Sequence, residues 1–518
     1  MFKGHPKGLI AAALANMGER FGFYIMMAIL TLFISAKFGL SETTTGYIYS
    51  IFYASIYVLS LVGGLIADRT KKYKSTILMG LVVMAFGYVI IAFPTPTPVP
   101  NQALYLTLTS FGLFVIAFGN GLFKGNLQAL VGQMYDNEKY KHKQESGFQL
   151  FYMFINVGAF FAPFIAVGIR NWWLKANNFL YESSLPELCH DYINKGGNLA
   201  PDQLEKLNIY ASKAMANGEA VTNIGEFVNN YIDVFSRGFQ YAFMSAIVMM
   251  VVSLFIYIAN KSKFPDVSKK KSGSGDKASV EEIKMSAQEV KQRIYALFAV
   301  FGVVIFFWFA FHQNGYSLTY FARDYINLDS IKIDFGFTQI IGAELFAAVN
   351  PFFVVFLTPL IMWFFGFLDR RSNGGISTPR KIAYGMGIAS LAFLFLMIFS
   401  FALPTKTELG TMSVDQINSI KLTPMVMIGL YFILTVAELF ISPLGIAFVA
   451  KVSPPHLQGL MQGLWLTATA LGNILLFIGG ILYTNSPMWL TWFVFVAVTG
   501  LSMFVMIGMV KWLERVAK

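Results

Sequence analysis

The chain has 518 residues, of which 56% are hydrophobic, 16% aromatic and only 13% charged, and its mean hydropathy is +0.58. Water-soluble chains carry about 25% charged residues, so a string of ordinary soluble domains is excluded; a single cysteine, Cys189, excludes a disulfide framework and any Cys-based metal centre, and five scattered histidines offer no ligand pair on one helical face. The net charge of +11 would suit nucleic acid, but its distribution points to a bilayer and leaves no need for a nucleic-acid partner.

A hydrocarbon core of about 30 Å requires roughly 20 apolar residues in a helix, because the backbone must satisfy its own hydrogen bonds there. Twelve segments meet that requirement: Gly8 to Ala36, Thr43 to Ala67, Ser75 to Phe93, Ala103 to Val131, Phe148 to Ile169, Phe239 to Ile258, Ile294 to Tyr320, Thr338 to Phe365, Ile382 to Leu403, Pro424 to Ala450, Leu457 to Tyr483 and Trp489 to Val510. The first is not a cleavable leader, since it runs past Ala15 and carries Glu19 and Arg20. Basic residues concentrate in alternate connections, from Lys3 and Lys7 through Arg69 to Lys74, Lys139 to Lys143, Lys261 to Arg293 and Arg370 to Lys381 to the last residues. The positive-inside rule therefore predicts a multi-pass protein of the cell (inner) membrane with both termini in the cytoplasm. The loop from Arg170 to Arg237 is also basic, but it is long enough to translocate regardless of charge; it carries no readable motif.

The expected organisation is an all-α membrane protein in two halves. Residues 1–259 form a first six-helix bundle with an extracytoplasmic insert at 170–238, residues 260–293 a cytoplasmic linker, and residues 294–518 a second bundle. The linker combines a low-complexity KKKSGSGDK stretch with an amphipathic SVEEIKMSAQEVKQR segment that reads as a surface helix. The connections GGLIADRTKKYKS and FGFLDRRSNGGISTPRK each put Asp-Arg (Asp68-Arg69, Asp369-Arg370) at a helix exit. Such a weak internal repeat is expected of a transporter built from two related bundles around a mid-membrane site.

Ionisable groups at membrane depth are costly and therefore informative. Arg20 and Lys124 lie in the first half and Glu438 in the second; Glu19, Glu344 and His312 are also intramembrane. Glu344, near the outer end of the eighth helix, reads as a structural pairing residue. The other charges suit a ligand with a negative and a positive end, Arg20 and Lys124 taking a carboxylate and Glu438 an ammonium group. An extended dipeptide, about 7 Å long, fits the gap between two bundles. Tyr24, Tyr57, Trp308 and Trp465 either line side-chain pockets or pack helices, and Asn156 and Asn350-Pro351 either offer amides to a ligand or join helices.

Eight motifs fall in one order along the chain: GERFGFY ending at Tyr24, GGLIADR ending at Arg69, GNGLFKGN around Lys124, GFQLFYMFINVGAF around Asn156, FFWFAFHQNG around His312, VNPF around Asn350, AELFISPLG around Glu438 and LMQGLWLTATALGN around Trp465. In these the sequence resembles the proton-dependent oligopeptide transporter family of the major facilitator superfamily, over nearly the whole helical chain. The resemblance implies the major facilitator fold, twelve transmembrane helices in two bundles that rock about a midplane site. It also implies a transporter rather than an enzyme. It assigns Arg20, Tyr24, Tyr57, Lys124, Asn156, Asn350, Glu438 and Trp465 to a peptide-binding cavity with Trp308 beside it, and implies that Lys124 and Glu438 approach as a cytoplasmic gate.

The departures from the family pattern bear on coupling. The first Glu of the helix 1 motif is Asn16, the usual acid of helix 7 is His312, and the helix 1 basic residue that pairs with that acid is Met27. Glu19, Lys124, His312 and Glu438 remain as coupling or gating groups, with protons as the coupling ion and no cofactor. The expected activity is proton-coupled import of di- and tripeptides. The alternatives are the same fold carrying nitrate or another small anion, an uncoupled peptide facilitator, and a peptide-sensing receptor; the ammonium partner offered by Glu438 favours peptides over an anion.

Overall fold

The computed structural model describes residues 4–135, 138–141, 143–265, 286–371, 376–454 and 457–517. Among these residues twelve helical stretches are long and apolar enough to cross a membrane, the seventh, eighth and eleventh (Ala287–Tyr325, Ala343–Leu368 and Leu460–Asn485) including a short helix or turn beside the main helix named below. The main helices are α1 (Leu9–Phe38), α2 (Glu42–Thr70), α3 (Tyr73–Ala92), α4 (Gln102–Gln133), α5 (Gln144–Ala176), α6 (Ile224–Ala259), α7 (Ala287–Phe311), α8 (Val349–Arg371), α9 (Thr378–Ser400), α10 (Met425–Val452), α11 (Gln458–Ile474) and α12 (Met488–Val516). After α7 the chain passes through a tight turn at His312–Gly315 into a further helix, Ser317–Tyr325; α11 is similarly followed by Phe477–Asn485. Polar side chains start several of the helices. Ser41 accepts from the Thr44 amide, Asn101 from Leu104, Asn223 from Glu226 and Ser286 from Glu289, each satisfying an otherwise orphaned donor.

The two halves repeat one packing scheme. In the first, α1 packs on α5 and α6, α2 and α3 on α4, and α3 on α6; in the second, α7 packs on α11 and α12, α8 and α9 on α10, and α9 on α12. Helix for helix these are the same contacts, so the internal repeat suggested by the two Asp-Arg connections extends through the whole fold. Small residues let backbones meet within each half: a Cβ on Gly63 of α2 would lie 2.1 Å from the carbonyl oxygen of Gly121 on α4. The halves join along two seams related by that repeat, α2 against α11 and α5 against α8. This is the major facilitator fold, two six-helix bundles enclosing a space along their common axis.

Several boundaries differ from the sequence reading, each for a physical reason. Helix α6 starts at Ile224, well before Phe239, because its first turns are polar and extend beyond any hydrocarbon layer. Arg170 and Arg237 therefore lie within α5 and α6, and the insert proper is residues 177–223. The expected eighth span begins too early: Thr338 to Ile340 belong to a hairpin in which Ile333–Asp334 pairs with Gln339–Ile340. Residues 287–293, the end of the segment read as a surface helix, form the first turns of α7, and its earlier part, 279–285, lies outside the described residues. The KKKSGSGDK stretch lies outside the described residues.

The insert contributes two short helices, Leu185–Asn194 and Pro201–Ala214. The first packs on α1 and α6, where His190 Nε2 is 2.6 Å from the Ala36 carbonyl oxygen near the end of α1. The second reaches the other half, Lys206 Nζ donating to the Gly410 carbonyl in the α9–α10 connection at 2.6 Å.

Candidate binding cavity between the two halves

Helices α1, α2, α4 and α5 of the first half and α7, α8, α10 and α11 of the second supply every candidate residue except His312, which opens the turn after α7. Lys124, Tyr24, Tyr57 and Glu438 are only half-buried although they sit well inside membrane-length helices, and Asn350 is half-buried in the first turn of α8. Their partial exposure on helices of both halves marks the candidate cavity. Arg20, Asn156, Trp308, Trp465 and His312 are buried around it.

On the first half, Arg20 does not stand free. Its Nε and Nη2 donate to the two carboxylate oxygens of Glu19 at 2.5 and 2.6 Å, and Asn120 Nδ2 donates to the same carboxylate at 3.0 Å. Arg20 also lies 4.5 Å from the centre of the Phe23 ring. One turn of α4 beyond Asn120, Lys124 Nζ is held 5.1 Å over the ring of Tyr57, a cation–π contact that holds a charge without neutralising it. Asn156 Nδ2 donates to the Tyr152 carbonyl of its own helix at 3.2 Å, leaving its amide oxygen for another partner.

On the second half, Glu438 of α10 accepts from Asn350 Nδ2 of α8 at 2.8 Å, and the same amide donates to Thr435 Oγ1 at 3.0 Å. Among the described residues no ion pair joins Lys124 to Glu438, and α4 and α10 do not form a packed pair with each other. Trp465 is fixed by the backbone of α10: a Cβ on Gly445 would lie 2.0 Å from its ring. Trp308 stacks on His312 with ring centres 4.8 Å apart, and its Nε1 donor is buried without a partner among the described residues.

His312 lies in the seam. Its ring is 4.6 Å from that of Tyr53 on α2, and its Nδ1 is 2.6 Å from Asn473 Oδ1 on α11. Tyr53, Asn120 and Asn473 were not singled out from sequence. Two had a signal, since Tyr53 lies one turn before Tyr57 and Asn120 one turn before Lys124 on the same helical faces; the contact between His312 and Asn473 depends on how α7 meets α11.

The two ends of the cavity differ. At the end bearing the insert the halves are bonded together. Arg170 of α5 pairs with Glu344 ahead of α8, both without solvent exposure. Asn171 Nδ2 donates to the carbonyls of Gln339 and Ile341 at 2.7 and 3.0 Å. Arg323 reaches Glu42 at 2.8 Å, Lys406 reaches Glu187 at 2.9 Å and Asp324 at 3.1 Å, and Tyr316 donates to the Glu42 carbonyl at 2.6 Å. Lys406, in the α9–α10 connection, is held well above the usual lysine range: burial opposes its charge, but Asp324, Glu187 and Glu42 outweigh that cost. At the opposite end no hydrogen bond or ion pair crosses between the halves among the described residues. The polar bonds between the halves are thus gathered at the insert end among the described residues; toward the linker end the halves meet through apolar packing of α2 on α11, where a Cβ on Gly463 would lie 2.7 Å from Leu61 Cδ2.

This architecture has close counterparts among known proteins. A family model described as the POT family matches residues 74–280 and 267–487. Peptide transporter YePEPT of Yersinia enterocolitica is 27% identical over 498 residues, 91% of this chain and 87% of that protein. Dipeptide and tripeptide permease A of Enterobacter sp. (strain 638) is 26% identical over 480 residues, 90% of this chain and 82% of that protein. Among solved structures, a peptide transporter POT in complex with sulfate superposes with a TM-score of 0.70 at 20% identity, covering 100% of this chain and 96% of that one. A POT family transporter in complex with a thioalcohol conjugated peptide gives 0.69 at 18% identity, covering 100% and 98%. These relatives are transporters, not enzymes. With the family model matching most of its length and the fold agreeing over all of it, this multi-pass membrane protein belongs to the POT family.

Proposed function

We propose that the protein imports di- and tripeptides together with protons across the cell's inner membrane by alternating access. The observation that carries this reading is the separation of unpaired charge across the cavity. Lys124 has no carboxylate partner on the first half, and Glu438 has no cationic partner on the second, among the described residues. A zwitterionic peptide supplies both missing partners at once, its carboxylate to Lys124 and Arg20 and its ammonium group to Glu438. A small anion supplies only one, and leaves Glu438 with the Asn350 amide alone. The peptide-transport names of the relatives support the same substrate class.

Coupling follows from the Arg20–Glu19 pair. Glu19 occupies the Nε and Nη2 edge of Arg20, so an incoming peptide carboxylate competes for that guanidinium. A carboxylate stripped of its cationic partner inside the membrane is neutralised by a proton, since an isolated buried charge is far more costly. Proton and peptide are thus taken up as one event. The bound ligand then offsets the like charges of Arg20 and Lys124 and lets Lys124 and Glu438 close the linker end. The positive-inside distribution of Lys and Arg supports a cytoplasmic linker end. A second reading, uncoupled peptide exchange, draws support from Asn16 and His312 at positions where the family pattern has acids.

The test is uptake of labelled dialanine into proteoliposomes with and without an inward proton gradient, against labelled nitrate and a Glu438→Gln variant. Accumulation that requires the gradient and is lost in the variant supports proton-coupled import. Exchange that ignores the gradient supports the facilitator, and uptake of nitrate alone overturns the substrate assignment.

A further inference from the structure

Away from the central cavity, a cleft of about 710 Å³ opens between the ends of α9, α10 and α12 in the second half. Four basic side chains line it: Arg380 in the first turn of α9, Lys451 in the last turn of α10, and Lys511 and Arg515 in the last turns of α12. Among the described residues Glu514 is the one acidic side chain in its lining. That carboxylate is already engaged, accepting from Ser377 Oγ at 2.5 Å and pairing with Arg380 Nε at 2.7 Å. Lys451, Lys511 and Arg515 have no carboxylate partner among the described residues.

The backbone adds to this positive field. Ser377 precedes α9 in extended conformation, but its hydroxyl is turned to Glu514 and makes no side-chain cap. The positive end of the α9 dipole therefore opens into the same cleft as the three cations. Cations placed at the ends of α10 and α12 each suit their own helix. Glu514 offsets part of this charge through Arg380, but the other three cations also converge on the start of a third helix, an arrangement that a further anion stabilises, and a helix N-terminus ringed by Lys and Arg is suited to a phosphate. Position narrows the source of that phosphate. The cleft lies where three membrane-length helices end, with Ile376, Phe448 and Ala517 as its apolar wall and Trp512 half-buried on the adjoining turn of α12. An indole there sits at headgroup level, and basic pockets between helix ends bind anionic headgroups.

We propose that this cleft binds the phosphate of an anionic phospholipid headgroup, with Lys451, Lys511 and Arg515 as its cationic ligands. The site is separate from the cavity and does not depend on which substrate the protein carries. The test uses the full-length purified protein in neutral detergent, titrated with phosphatidylglycerol or phosphatidylcholine and read by native mass spectrometry. The variant is the triple Lys451→Gln/Lys511→Gln/Arg515→Gln, and its control neutralises three other exposed cations, Lys71→Gln/Lys72→Gln/Lys263→Gln. The three cations are all exposed, and an unchanged thermal transition in the absence of lipid checks that the variant is folded. Phosphatidylglycerol binding is expected to weaken at least tenfold in the cleft variant and less than twofold in the control, with phosphatidylcholine weak throughout. Equal loss in both variants would reduce the effect to diffuse surface charge and overturn the site. So would equal affinity for phosphatidylcholine. Displacement of phosphatidylglycerol by millimolar inorganic phosphate at constant ionic strength would overturn the lipid assignment in favour of a soluble anion.

Discussion

Arg170 and Glu344 form an ion pair between the two halves in which neither side chain is exposed to solvent. Arg170 is further held by Asn171 Oδ1 at 2.9 Å, by the Ile341 carbonyl at 3.1 Å and by the face of Tyr181 at 4.1 Å. Sequence reading assigned Glu344 a structural pairing role but counted its partner among loop cations. Where the resemblance implies a charged pair between helices 1 and 7 this chain has Met27 and His312, and the Arg170–Glu344 pair joins the halves at the insert end through α5 and the start of α8.

Removing one partner of a buried ion pair costs about 3–5 kcal/mol, whereas replacing both with apolar groups of similar volume is close to neutral. Glu344→Gln is therefore expected to lower the thermal transition of the detergent-purified protein substantially. The double variant Arg170→Met/Glu344→Leu should recover most of the loss. A double variant as unstable as the single would mean that Arg170 acts through its other contacts.

Glu438→Gln keeps an oxygen to accept from Asn350 but removes the charge. Charge-assisted hydrogen bonds contribute about 1.5–3 kcal/mol, so dialanine affinity should fall by roughly 10- to 150-fold while the thermal transition without peptide stays within a degree or two. Isothermal titration alongside a melting curve separates lost binding from lost folding.

Gly445 lies against the indole of Trp465, and the methyl group of Gly445→Ala would fall 2.0 Å from that ring. Overpacking of this kind costs about 1–3 kcal/mol and displaces the flexible partner. Dialanine uptake should drop several-fold and return in part when Trp465→Phe makes room. No recovery would mean that the backbone of α10, not the indole, had shifted.

The insert should loosen in acid. His190 is held below its ordinary value of 6.5 by burial, which outweighs the opposing pulls of the Ala36 carbonyl and Asp191. Its docked form is thus stabilised neutral: the contribution is complete above pH ~6.5 and is lost as pH falls through the undocked value toward the lower docked one. Hydrogen exchange of residues 185–194, corrected for its intrinsic pH dependence, should speed up between about pH 7.5 and 5.5. His190→Gln, which can still donate to Ala36, should flatten that response.

The legible parts of the molecule are those that a single helix encodes. Twelve spans follow from the thickness of a bilayer, and Arg20, Lys124 and Glu438 stand out because a charge within such a span is expensive. Where helices outgrow the hydrocarbon, as at the polar start of α6, or where an apolar run turns into a hairpin, as at Thr338, hydropathy alone misplaces the boundary. Contacts made by tertiary packing were not legible at all. Arg170 and Glu344 are 174 positions apart, and the meeting of Tyr53, His312 and Asn473 requires α2, α7 and α11 to be in place. From sequence either Glu19 or Glu438 could be the carboxylate that a substrate releases from Arg20 and Lys124; that Glu19 takes the Nε and Nη2 edge of Arg20 depends on the side-chain geometry.

The contact between Lys206 and Gly410 joins the insert of the first half to the α9–α10 connection of the second, outside the membrane-length helices and away from every cavity residue. Any motion that opens the insert end must part these two positions. Fluorophores placed at 206 and 410 therefore form a distance gauge for the transport cycle, reading each excursion as a change in energy transfer without occupying the path a substrate takes.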